Sequence, residues 1–391
     1  MKSIAWALTS GILITGMVSC GSQPDTKVWT ADGQLYTVEG THLVKGVCYH
    51  PVAIGDSTRS FSTLSQDLTL MNELGVNTIR VYEPIASKEV LDEISKAGVR
   101  VIMGFGYNQG GTFDIRSGTF IDYVKTFKDH PAILVWELGN EYNFHPEWFG
   151  GDIQTWYDAL SAAVDAIHAE DPNHPVATAH GEVPEVELLA ALPNIDLWGL
   201  NVYRWDVSYT AALDFAERSE KPMYFSEIGA DSYMSTSVLG YEQGPNQRAQ
   251  ADATQALLAP LFSDSVPCAG AAVFSFTDGW WKAGRSDVQD PGGVAPASSG
   301  VPYDSDANEE HWGLVDIHRK PKAAFDVVKS FFNANNTSSM KEGKLQKAVY
   351  ESSRQGGRFH QIPESVVERR NSPHAEEIRL RVHTDRRKQT I

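Results

Sequence analysis

Between residues 43 and 333 the chain alternates eight short apolar runs with eight amphipathic ones, a rhythm that few folds can satisfy. The apolar runs predict strands at 43–49, 76–82, 99–105, 132–138, 175–180, 195–202, 222–227 and 270–276. The amphipathic runs predict helices near 62–74, 87–97, 118–129, 152–170, 185–191, 208–219, 246–263 and 320–333. In the fourth of these, Ile153, Trp156, Leu160, Ala163, Val164 and Ile167 recur at three- and four-residue spacing, which lines one helix face. Gly75 and Gly98 follow two helices where a left-handed cap needs glycine. Eight strand–helix units of this size predict an α/β chain folded as a (β/α)8 TIM barrel. The absence of a glycine-rich phosphate fingerprint argues against an open doubly wound sheet.

The flanks depart from this rhythm. Residues 1–20 read as an export signal: Lys2, an apolar stretch from Ile4 to Val18, then Ser19-Cys20. The end of that stretch resembles a bacterial lipobox, which would make Cys20 a lipidated N-terminus and the only attachment to a membrane; an ordinary cleaved signal is the alternative. Either reading puts the mature protein outside the cytoplasm, as a cell-surface or outer-membrane lipoprotein or in periplasmic or secreted form. Residues 21–42 hold a lead and a short N-terminal hairpin turning at Asp32-Gly33. Residues 43–335 form the barrel, and residues 336–391 read as a disordered C-terminal tail in which Lys and Arg outnumber Asp and Glu twelve to seven. The whole chain nevertheless carries a formal charge of −17, which repels phosphate backbones and excludes nucleic acid as a partner. Cys48 and Cys268 are expected as buried free thiols, because the predicted strands place them towards opposite rims.

Two carboxylates close strands at the barrel's catalytic end: Glu141 in WELGNEYN and Glu227 in YFSEIG. A facing pair of this kind is the equipment of glycoside hydrolysis, one group protonated as acid and the other ionised as nucleophile. Glu137, on the same strand as Glu141, is expected to pair structurally. The segment 277–319 is long for a connection and rich in acid, with Asp287, Asp290, Asp304, Asp306, Glu309 and Glu310. Its spacing fits no calcium loop, so it reads as a solvated insert. No His/Cys/Asp cluster has metal-ligand spacing, and the chemistry needs no cofactor.

The Gly-Asn-Glu ending strand four and the Ser-Glu ending strand seven resemble those of retaining β-glycosidases of glycoside hydrolase clan A. KGVCYHP is similar to the first strand of family 2 β-galactosidase-like and family 72 β-1,3-glucanosyltransferase-like barrels. NTIRVYEP resembles their second strand. FSFTDGWWKAG and HWGLVDIHRKPKAAF resemble the eighth strand and final helix of the family 2 barrel. The resemblance implies Glu141 as acid/base and Glu227 as nucleophile, with carboxyl groups about 5–5.5 Å apart for retention. Asn140 would donate to the sugar 2-hydroxyl, Arg80 would hold Glu227 ionised, and Tyr203 would orient it. Trp281 is the expected sugar platform, beside Trp280. Tyr49, His50 and Tyr82 are expected substrate contacts on the rim, with Phe144, Trp148, Trp205 and His180 as further candidates. The implied partner is a β-linked oligo- or polysaccharide, β-glucan first. Hydrolysis, transglycosylation and a catalytically silent carbohydrate-binding lipoprotein remain open at this point.

Overall fold

A computed structural model gives the fold and describes residues 26–107, 112–263, 265–295, 304 and 306–334. The export segment with Cys20, and the tail 336–391, lie outside the described residues. Strands β1 (Val28–Ala31) and β2 (Gln34–Thr37) pair antiparallel across Asp32-Gly33, and β3 (Gly40–Thr41) adds a third strand. Asp32 and Gly33 take φ of 47° and 72°, as a two-residue hairpin turn of the primed kind requires. Val28 and Leu35 pack with Val44, Val135, Ala177, Leu197 and Tyr224, so the hairpin plugs one end of the barrel interior.

The barrel strands are β4 (Val44–Cys48), β5 (Thr78–Val81), β6 (Arg100–Phe105), β7 (Ile133–Asn140), β8 (Val176–Gly181), β9 (Leu197–Asn201) and β10 (Met223–Ile228). After two short paired strands, β11 (Tyr233–Met234) and β12 (Gly244–Pro245), β13 (Gly270–Val273) completes the ring. The eight strands run parallel and close through β13–β4. Helices α1 (Leu64–Leu74), α2 (Lys88–Lys96), α3 (Phe120–Phe127), α4 (Gln154–Glu170), α5 (Val186–Ala191), α6 (Thr210–Arg218), α7 (Gln247–Leu261) and α8 (Ala323–Phe332) follow the strands in turn. Their apolar faces meet the outer faces of the strands in one continuous core. The TIM barrel expected from periodicity is therefore present.

Two strands break their two-residue period. The register of β7 against β8 shifts between Leu138 and Asn140, and that of β10 against β9 shifts between Phe225 and Glu227. Each bulge lies just before a residue of the candidate site. The segment 277–319 differs from expectation. Its described residues are not a solvated insert: Asp278, Asn308 and Glu310 are buried, and β14 (Val294–Ala295) pairs with β15 (Ala307–Asn308). Several of its acids are absorbed by the fold, whereas Asp287 stays exposed and pairs with Arg285 at 2.6 Å. Lys322 Nζ lies 2.5 Å from Asp278 Oδ1, Asp290 N–H donates to Glu310 Oε2, and burial pushes Glu310 up to about 7.

Candidate active site

Glu227 ends β10 inside the barrel mouth and is buried. Its Oε1 accepts from Arg80 Nη1 at 2.9 Å and from the Tyr82 hydroxyl at 2.7 Å, and its Oε2 accepts from the Tyr203 hydroxyl at 3.0 Å. Burial, reinforced by the carboxylate of Glu227, holds both phenols well above their usual range, so they remain protonated donors. The Tyr203 phenol is also pushed up by Glu141, which puts both expected carboxylates in the field of one hydroxyl. Beneath them Cys48 donates its thiol to Ser226 O at 3.3 Å and is pushed up to about 12 by burial, so it stays neutral.

Arg80 is 0 % exposed and distributes its three nitrogens among three acceptors. Nε reaches Glu137 Oε1 at 2.7 Å, Nη1 reaches Glu227, and Nη2 reaches Asn140 Oδ1 at 2.7 Å. Asn201 Nδ2 also donates to Asn140 Oδ1, at 3.1 Å, and Ser226 Oγ donates to Asn201 Oδ1 at 2.6 Å. With two donors on its oxygen, the Asn140 amide is held with its NH2 as the end left to donate. Glu141 follows at φ 54°, a left-handed conformation that costs a non-glycine residue about 1–2 kcal/mol. Its N–H is fixed to Ala179 O at 2.9 Å, and the next three residues form a 3-10 turn, Tyr142–Phe144. Glu141 is half-buried, and Glu182, after β8, shares its left-handed backbone at φ 67°.

The expected rim residues divide. Trp281 and His50 are half-buried with ring centroids 5.0 Å apart, and His50 lies 6.4 Å from Tyr82, giving a contiguous aromatic flank that ends at Glu227. Tyr82 thus reaches Glu227 itself, and Arg80 is too buried to meet a ligand. Tyr49 is a correction: it is fully buried behind the mouth, where its hydroxyl donates to Asp67 of α1 at 2.8 Å and its ring meets Phe276. One residue out of phase with His50 on the strand, it faces the helix shell. Phe144 and Trp148 are exposed beside Glu141, the latter stacked on His145 at 3.9 Å. Trp280 sits edge-on to His318. His180 is held by Glu182 O at 2.9 Å, and burial lowers its pKa. The side chain of Trp205 lies outside the described residues.

Several neighbours escaped the sequence reading. Trp312 is buried edge-on to Tyr203 at 5.4 Å and to Phe274 at 5.2 Å. Asn201 was signalled only by its spacing, two residues before Tyr203 and so on the same strand face. Cys48 and Cys268 are buried and unbridged. Among the described residues, no group of three or more His, Cys, Asp or Glu is arranged to hold a metal, and no helix is long and apolar enough to cross a membrane.

No protein-family model matches the chain. It is 26% identical over 223 residues to the 1,3-beta-glucanosyltransferase PGA4 of Candida albicans, a match covering 48% of this chain and 49% of that protein. It is 25% identical over 205 residues to the beta-glucuronidase of Sus scrofa, covering 47% of this chain and 29% of that one. The chain therefore spans half or less of the length of these curated relatives. The solved structure of a GH2 beta-galacturonidase from Eisenbergiella tayi superposes with a TM-score of 0.56 at 20% identity, over 79% of this chain and 55% of its own. The chain thus has homologues among both groups that its motifs resemble, glucanosyltransferases and family 2-like glycosidases, and it shares the barrel fold of the latter.

Proposed function

We propose that the chain is a retaining glycosidase acting on β-linked oligo- or polysaccharide. The observation that carries this reading is the Glu227 carboxylate, buried at a strand end and accepting from Arg80, Tyr82 and Tyr203. Three donors, one of them a guanidinium shared with Glu137, suit the acceptor-only carboxylate that a nucleophile requires. In the proposed first step Glu141 gives its proton to the glycosidic oxygen as Glu227 attacks the anomeric carbon. The bond to the leaving sugar breaks and a glycosyl ester on Glu227 forms. In the second step Glu141, now a carboxylate, takes the proton of an incoming water or sugar hydroxyl, whose oxygen displaces Glu227. The Asn140 amide would meet the 2-hydroxyl, and Trp281 would carry a sugar face.

A neutral glycan such as a β-glucan fits better than a uronide. Arg80 is taken by two carboxylates, and Lys282, over the face of Phe274, lies 3.6 Å from Glu309. Transfer to a sugar hydroxyl uses the same residues as hydrolysis, and the glucanosyltransferase relatives make it the second reading. Export and lipidation at Cys20 rest on the sequence of residues 1–20.

The test is mass spectrometry after incubation with activated 2-deoxy-2-fluoro-β-glycosides of glucose, mannose, galactose and glucuronic acid. A mass gain mapped to Glu227, largest with the glucoside, is expected. Turnover of the matching β-glycosides with inverted product and no adduct would remove Glu227 as nucleophile. Oligosaccharide binding that is equal in wild type and Glu227→Gln, with nothing released by either, would make the protein a binder.

A further inference from the structure

The barrel interior holds one carboxylate that the proposed reaction does not use. Glu137 is 1 % exposed, one layer below Asn140, and its two oxygens have separate partners. Oε1 accepts from Arg80 Nε at 2.7 Å, and Oε2 accepts from the hydroxyl of Tyr224, itself fully buried. A continuous polar column therefore climbs the barrel axis, from Tyr224 through Glu137 and Arg80 to Glu227.

The geometry points to Glu137 as a positioning residue that acts on Glu227 by occupying one edge of Arg80. The inference rests on the reading of Glu227 as the reacting carboxylate. An arginine with a free edge takes a carboxylate bidentately through two parallel N–H bonds. Here the Nε–H is committed to Glu137 and an Nη2–H to Asn140, so Glu227 receives a single Arg80 bond, on Oε1. Oε2 is left with the neutral Tyr203 donor and keeps its electron density for attack. Glu137 also adds a second negative charge to the same guanidinium, so Arg80 does not neutralise Glu227 alone. The groups facing Glu227 are Arg80 from β5, Tyr82 just after it, Cys48 from β4, Tyr203 after β9, Glu137 from β7, and Glu141 across Tyr203. Arg80 is the sole cation of that set, and its charge is divided between Glu137 and Glu227. Burial holds Glu137 above the usual carboxylate range while Arg80 pulls it down, so the pair is sensitive to any change at Tyr224.

The experiment compares wild type with Glu137→Gln, which keeps shape and the acceptor for Nε but removes the charge, and with Tyr224→Phe. The direct readout is the pH midpoint of the Glu227 carboxyl carbon by 13C NMR, assigned with Glu227→Gln. A midpoint about one pH unit lower in Glu137→Gln is expected, from loss of the like charge that shares the Arg80 guanidinium. On an activated aryl glycoside, kcat should fall about tenfold with KM little changed, and the acidic limb of the pH profile should move the same way; Glu137→Asp should recover part of the rate. An unmoved midpoint in a variant that melts as a folded protein would overturn the proposal and leave Glu137 a packing residue. The NMR readout does not need turnover, so an inactive wild type would defeat the glycosidase reading while the coupling between Glu137 and Glu227 was still decided.

Discussion

At the scale of single residues, the site is a matter of which donors reach which oxygen of Glu227. Arg80 and Tyr82 share Oε1, whereas Oε2 has the Tyr203 hydroxyl. Hydrogen bonds to a charged group contribute about 1.5–3 kcal/mol, so losing one that is used in the reaction costs roughly ten- to a hundredfold in rate. Tyr203→Phe is therefore expected to lower kcat by that factor on an activated β-glycoside while melting close to wild type; an unchanged kcat would mean that Oε2 is not the attacking oxygen. The contacts of Arg80 and Tyr203 with Glu227 were legible from residue type and strand position. The contact of Tyr82 with Glu227 had a signal of the same kind: it lies two residues beyond Arg80, and in extended chain that spacing puts both side chains on one face. The same parity separates Tyr49 from His50, which is why the tyrosine faces α1. Trp312 had no such signal, because it comes from a long connection whose path no periodicity describes.

At the scale of elements, legibility followed how each run is buried. Every barrel strand and helix falls within a few residues of its predicted span, since strands covered on both faces read as continuous apolar runs and their helices as one-sided stripes. What periodicity hid are the bulges beside the site. Glu137 and Asn140 are three residues apart, yet both reach Arg80, because the shift between Leu138 and Asn140 turns a second residue inward. Tyr224 and Glu227 are brought onto one face of β10 in the same way. Gly139 makes the first bulge possible. It has φ 73°, and a Cβ on it would lie 2.6 Å from Trp156 Cζ2. Gly118 offers a control, with φ 78° and nothing within 4 Å of the place a Cβ would take. Gly118→Ala should cost only the left-handed penalty, about 1 kcal/mol, and spare activity. Gly139→Ala adds displacement of a packed Trp, a further 1–3 kcal/mol or so, and should lower kcat by moving Asn140 and Glu141. Equal melting shifts and equal activities in the two variants would show that the bulge does not set the site.

At the scale of the whole molecule, a barrel is stable only if its last unit returns to its first. The β13–β4 pairing does this in the sheet, and the helix shell does it through Asp67 of α1. Arg319, in the turn before α8, donates from Nε to Asp67 Oδ1 at 2.9 Å and from Nη2 to Thr63 Oγ1 at 2.8 Å, while Tyr49 of the first unit binds Asp67 Oδ2. Both charges are buried, so the pair has lost its hydration and survives by mutual satisfaction. A second bridge spans the same seam at the surface: Lys329 of α8 to Glu73 of α1 at 2.8 Å, with side chains 41% and 51% exposed. The two make a matched comparison. Arg319→Ala strands the Asp67 carboxylate in the seam and should cost about 3–5 kcal/mol. Lys329→Ala exposes nothing and should cost less than about 1 kcal/mol, since water already screens that pair. Urea unfolding followed by tryptophan fluorescence measures both. Losses of similar small size would place closure in the apolar packing of α8 against α1, whereas the expected gap places it in the buried ionic contact that ties the final unit to the first.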